Sequence, residues 1–150
     1  MARFRKDDWL ELGARLLAEQ GPAALTLEQL TAAAKRTRGS FYHHFGGREA
    51  FLMALMDWWR VRTIDALAAR IQAMPGPDAL KALLRDVPSE WDTRFELGVR
   101  QLAVSEPVVK AALREIDEAR INGLAGAITI LRPDIADAYS LAFVQYAATV

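Results

Sequence analysis

The segment Thr37-Arg38-Gly39-Ser40-Phe41-Tyr42-His43-His44-Phe45 constrains this chain more than any other. It puts an Arg, a Ser, a Tyr and two His, all able to reach phosphate or base edges, into about two helical turns. Phe41 and Phe45 fall four apart and can anchor those turns from behind. A helix so short does not persist alone in water, so a neighbour must hold it. The preceding stretch suits that task. Thr26 and Gln29 form a Thr-x-x-Gln capping box, Leu25 can staple against Leu30, and Leu27, Leu30 and Ala34 turn inward. Lys35-Arg36 makes the turn, Thr37 caps the short helix and Gly46-Gly47 breaks it. The two helices read as a helix-turn-helix.

Elsewhere the chain is helical as well. Strand signals are weak, because β-branched clusters are few and alternation is not sustained. Asp7 or Asp8 can cap a first helix reaching about Glu19, with Trp9, Leu10, Gly13, Leu16 and Leu17 on one side and Gly21-Pro22 as its stop. Arg48 opens a long helix to about Met74, its apolar face including Phe51, Leu52, Leu55, Trp59, Ala66 and Leu67. After Pro75-Gly76-Pro77, helices are expected over about 78–86, 89–104 and 108–131, and an apolar one from Ile135 to the end. These make eight helices in an all-α protein. The expected division is a helix-turn-helix domain over residues 1–50 and a helical-bundle domain over 51–150, with the boundary inside the long fourth helix.

With 150 residues, 52% of them apolar, the chain can bury a core. Its formal net charge is zero, against a protein that coats nucleic acid generally. The distribution says more. Lys35, Arg36, Arg38 and Arg48 fall in a stretch without Asp or Glu, whereas from residue 51 on 11 basic residues meet 13 acidic ones. Positive potential is therefore local, as on a surface that meets DNA. No cysteine is present, which excludes disulfides, thiolate zinc sites and Cys nucleophiles. No secretory core or membrane-length apolar run stands out, so a cytoplasmic protein without membrane contact is expected.

The major groove of B-DNA accepts an α-helix, whose N-terminal residues reach base edges. Arg38, Gly39 and Ser40 begin the short helix. Gly39 costs about 1 kcal/mol of helix stability relative to Ala, but lets the backbone approach a sugar-phosphate wall. The helix starts at Thr26 and Arg48 suit phosphates. Residues from about 8 to 55 resemble the DNA-binding domain of the TetR family of transcriptional regulators. The resemblance rests on Thr26-Leu27-x-x-Leu30-x-x-Ala33, on Arg38-Gly39-Ser40-Phe41-Tyr42-His43-His44-Phe45 and on Arg48-Glu49-x-x-Leu52. It implies that Thr26, Thr37, Tyr42, His43 and Arg48 hold phosphates, and that Arg38, Gly39 and Ser40 read bases with Lys35 and Arg36 assisting. The arm residues Arg3, Arg5 and Lys6 would add minor-groove or phosphate contacts. Two positions depart from the pattern. Gly47 stands where the family commonly has Ser or Thr, and Lys35 stands where it usually has Gly, so an unchanged turn requires a positive φ at Lys35. Phe41, Phe45 and Trp9 are expected in the core, and His44 to pack or to touch phosphate. Adjacent histidines point about 100° apart on a helix, which does not make His43-His44 a metal site.

Three of the four Trp follow residue 50. The resemblance implies a helical bundle there with an effector pocket, for which Trp58, Trp59, Trp91, Phe95 and Tyr139 are candidate walls and Arg94, Arg100, Gln101 and Asn122 candidate polar groups, alongside the plainer reading that aromatic residues at helical spacing are core. The charge-poor C-terminal helix reads as an interface, where family members usually continue with a further helix. No catalytic constellation, cofactor or metal site is visible. The expected protein is a homodimeric, ligand-responsive regulator, most often a repressor, binding a palindromic double-stranded DNA operator through two reading helices and answering an unknown small-molecule effector. The rival reading is a helical binding or scaffold protein without operator recognition.

Overall fold

The structure, a computed structural model, describes residues 4–65, 68, 69, 73 and 90–148. Seven α-helices and no strand occur among the described residues: α1 Lys6–Gln20, α2 Leu27–Ala34, α3 Arg38–Tyr42, α4 Arg48–Arg60, α5 Glu90–Ser105, α6 Pro107–Leu131 and α7 Ala138–Ala147. The helix expected over 78–86 lies outside the described residues.

Local chemistry sets most helix ends. Asp8 Oδ2 accepts a hydrogen bond from the Arg5 N–H at 2.6 Å, so α1 starts at Lys6 with Asp8 reaching back rather than Asp7 or Asp8 leading. Gly21, at φ 76°, ends it, and its N–H donates to the Leu17 carbonyl at 3.0 Å. Thr26 and Thr37 cap α2 and α3 by accepting from the N–H groups of Gln29 and Ser40, both at 3.2 Å. Pro107 opens α6, where a missing N–H costs nothing. The last helix begins later than expected, at Ala138 instead of Ile135. Asp137 accepts from the Ser140 N–H at 3.0 Å, and Ile135 belongs to a turn closed by its own N–H on the Arg132 carbonyl. The long fourth helix is also not uniform: α geometry ends at Arg60, and a π turn follows over Val61–Asp65.

The described residues pack as two compact units. The first falls within Met1–Trp59 and Pro88–Leu113, the second within Arg60–Val87 and Arg114–Val150. In the first unit α5 packs along α1, so closely that a Cβ on Gly98 would stand 2.7 Å from Leu17 Cγ. In the first unit Trp9, Leu17, Leu30, Phe41, Phe51 and Leu52 are almost completely buried, and the Trp59 and Phe95 rings meet at 5.4 Å. In the second, Ile121, Ile128 and Ala142 form the core, with Leu124, Ile135 and Tyr146 packed against them. Among the described residues no helix is long and apolar enough to cross a membrane.

Candidate nucleic-acid interface

The short helix α3 has two unlike sides. Behind it, Phe41 is the hub of an aromatic cluster, with ring centroids 5.4 Å from Trp9, 5.1 Å from Phe45 and 5.6 Å from Phe51. Phe45 meets Phe51 edge-on at 5.1 Å. Edge and tilted geometries of this kind add stability beyond the area buried, about 0.5–1.5 kcal/mol per pair. This is how five helical residues are held where they could not hold themselves. On the open side, Lys35, Thr37, Arg38, Gly39, Tyr42 and His43 are all exposed, and Ser40 is half-buried. Tyr42 keeps 54% of its surface accessible although its ring edge rests on Phe41. Thr26, at the start of α2, is exposed too.

The turn between α2 and α3 is fixed by backbone bonds. Lys35 has φ 51° and ψ 46°, the left-handed conformation that the family pattern requires there. Its N–H donates to the Ala32 carbonyl at 3.1 Å, and the Arg36 N–H to the Thr31 carbonyl at 3.0 Å, the paired closure of a Schellman motif. Arg36 is half-buried, its guanidinium 5.4 Å from the centre of the Phe4 ring. Phe4 in turn packs edge-on against Trp9 at 5.0 Å, and the His44 ring nitrogen Nε2 lies 3.2 Å from the Phe4 carbonyl. His44 therefore packs the arm against the helix-turn-helix, and Lys6 stands over the Phe45 ring at 5.8 Å. Residue pattern pointed to the arm only through its charge; Phe4, which seats it, carried no signal. Arg3 lies outside the described residues.

Arg48 is placed differently from the other residues expected at DNA. Its Nε donates to the Leu25 carbonyl at 3.0 Å, and its Nη1 donates to Glu106 Oε1 at 2.5 Å. Neither partner was visible in the sequence, because they stand 23 and 58 residues away.

The described residues among those expected around an effector fall in both units. Trp59 and Phe95 are buried in the first unit, Trp58 is half-buried beside Phe95 at 6.5 Å, and Arg100 pairs with Glu96 at 2.8 Å. Arg94 and Gln101 are exposed, Tyr139 is an exposed residue of the second unit, and the Trp91 side chain lies outside the described residues. The second unit holds an open groove of about 500 Å³ with Leu124, Ile128, Leu131, Ile135 and Leu141 among its walls. Tyr146, at its end, donates its hydroxyl to Asp117 at 2.6 Å and accepts from Arg120 at 3.2 Å. Burial, and then the bond to Asp117, hold the Tyr146 phenol above its ordinary range. Ordinary apolar residues on an amphipathic helix give no sequence signal for such a groove.

An aromatic-backed, five-residue helix with a polar open face, carried on a capped supporting helix, is the arrangement of a helix-turn-helix. Residues 10–55 match the family of bacterial regulatory proteins called the tetR family. The similarity to the tetR family lies in this N-terminal segment. It is 32% identical over 79 residues to the HTH-type transcriptional repressor KstR2 of Mycobacterium tuberculosis, covering 48% of this chain and 40% of that one. The chain therefore spans about two-fifths of the relative's length. Two solved structures share the fold: reduced Escherichia coli NemR and a putative transcriptional regulator from Pseudomonas aeruginosa PAO1. The first has a TM-score of 0.72 at 22% identity, over 95% of this chain and 82% of its own. The second has 0.74 at 18%, over 95% and 74%.

Proposed function

We propose that the protein is a transcriptional repressor that binds a palindromic DNA operator as a homodimer and leaves it on binding a small-molecule effector. The observation that carries the reading is the open face of α3, where Arg38, Gly39, Tyr42 and His43 stand exposed opposite a packed aromatic wall. Arg38, Gly39 and Ser40 enter the major groove and meet base edges. Thr26, Thr37, Tyr42 and His43 hold the flanking phosphates, and Lys35 and Arg36 supply nearby positive charge. The similarity to a repressor supports the direction of control.

Dimer formation is proposed through the last helices. Helix α7 is apolar around most of its circumference, and such a helix is stable in water only when covered. Phe143 at 52%, Val144 at 64% and Tyr139 at 47% exposure lie uncovered there, as does Ile130 on α6. A second copy covers this face, which sets two α3 helices about 34–36 Å apart on successive major grooves. The effector is an apolar molecule with few polar groups, taken up by the C-terminal helices, and it acts by preferring the conformation with the wrong spacing. The site of action is the cytoplasm.

Titration of the purified protein against duplexes selected from a random pool, at several salt concentrations, tests this reading. Sequence-selective binding with a steep salt dependence is the expected result. A confirmed dimer that binds no duplex at low salt would sink it and leave a helical scaffold instead.

A further inference from the structure

One guanidinium joins three elements of the first unit. Arg48 is the first residue of α4. Its Nε holds the carbonyl of fully buried Leu25, the residue just before the Thr26 cap of α2, and its Nη1 holds the carboxylate of Glu106. Glu106 is the single residue between α5 and α6. Its N–H donates to the Leu102 carbonyl and its carbonyl accepts from the Lys110 N–H, both at 3.0 Å, so the corner is backed by helix on both sides. Both side chains are partly shielded, with 39% and 24% of their surface accessible. A fork that spans two fixed acceptors has one geometry, which a lysine cannot reproduce.

We infer that Glu106 is a positioning residue for the DNA-reading helix, and that Arg48 acts as its strut and not as a phosphate ligand. The charge of Arg48 is answered inside the protein, and a phosphate at the start of α4 would meet the Glu106 carboxylate as well. The strut ties the start of α2, the scaffold of α3, to the α5–α6 corner. Helix α6 begins at the next residue, so a displacement of its first turn moves the Glu106 carboxylate, and through Arg48 the Leu25 carbonyl. This inference rests on the DNA-binding reading and names where that activity is regulated.

The test uses the full chain and a duplex it selects from a random pool, with affinity read by fluorescence anisotropy across a salt series and folding read by thermal unfolding. Wild type and Arg38→Ala are measured first: no selection of a duplex by wild type overturns the DNA-binding reading itself. Given binding, Glu106→Gln is expected to lower affinity about tenfold, with the slope of log affinity against log salt unchanged. Arg48→Lys, which keeps the charge but loses the fork, is expected to fall as far as Arg48→Ala. The double variant Arg48→Ala/Glu106→Gln should be no worse than the worse single one. Tighter binding and a steeper salt slope for Glu106→Gln mean that Arg48 was released to a phosphate, and overturn the inference. So does wild-type affinity in Arg48→Lys.

Discussion

Two glycines show how differently the same residue can be constrained. A Cβ on Gly13 would lie 2.5 Å from Cζ of Phe51, whose ring is wedged against Phe41 and Phe45, so internal packing excludes any side chain there. A Cβ on Gly39 would meet only Thr37 Oγ1, at an ordinary 3.7 Å. Nothing inside the protein requires glycine at position 39, and in a helix it is a burden. Gly39→Ala is therefore expected to stabilise the fold by about 0.5–1 kcal/mol in thermal or urea unfolding while weakening DNA binding. Unchanged affinity would remove Gly39 from the interface. Arg38→Ala should leave unfolding unaffected and cost about 1–3 kcal/mol of binding, with relaxed preference at one base position if it reads a guanine. Lys35 holds a left-handed backbone, a conformation about 1–2 kcal/mol unfavourable for an L-residue. Lys35→Gly should raise the unfolding temperature and slightly flatten the salt dependence of binding. At this scale much was legible beforehand. Thr37, Phe41 and Phe45 do what their spacing implied, and Thr26 caps α2 through the Gln29 N–H, because caps and i,i+4 anchors are settled within one or two turns. The strut from Arg48 was not legible, since its partners are chosen by packing between distant segments.

Elements carry the next level of constraint. The existence of the helices followed from Gly, Pro and capping residues, and those signals also stopped α1 at Gly21 and started α6 at Pro107. What they do not encode is which helices lie together. The α1–α5 contact rests on Gly98, whose added Cβ would stand 3.0 Å from the Leu17 carbonyl oxygen as well as against its side chain. Backbone cannot step aside as a side-chain tip does. Gly98→Ala is expected to cost about 1–3 kcal/mol in chemical unfolding. A variant as stable as wild type would show that α1 and α5 can separate freely. Helix α7 offers a test by pH. The bonds from Ser140, its side chain first and then its N–H, hold the Asp137 carboxyl below its ordinary range. A depressed folded value means that the charged form favours the helix. That contribution is present above the unfolded carboxylate pKa and is lost as pH falls through the lowered folded one. Asp137→Asn should remove this acid-side dependence of helix content, followed by circular dichroism against pH, with little change at neutral pH because Asn also caps.

For the whole molecule, the division into two compact units places every described residue proposed at DNA in the first and the uncovered apolar face of α7 in the second. The surfaces proposed for reading and for pairing lie in different units, so the two should be separable by mutation. Phe143→Glu with Val144→Glu is expected to give a folded monomer by sedimentation, with half-site binding retained and affinity for the full palindrome reduced to that of one half-site. A double variant that remains dimeric would move the interface elsewhere. The proposed pairing would have a consequence for dosage. Below the dimer dissociation constant, the amount of dimer grows with the square of the chain concentration, so operator occupancy does too. A helix face left open on the monomer would then make the regulator a sensor of its own abundance. Modest changes in its synthesis would be amplified before any effector arrives, and an operator in its own promoter would correct them steeply.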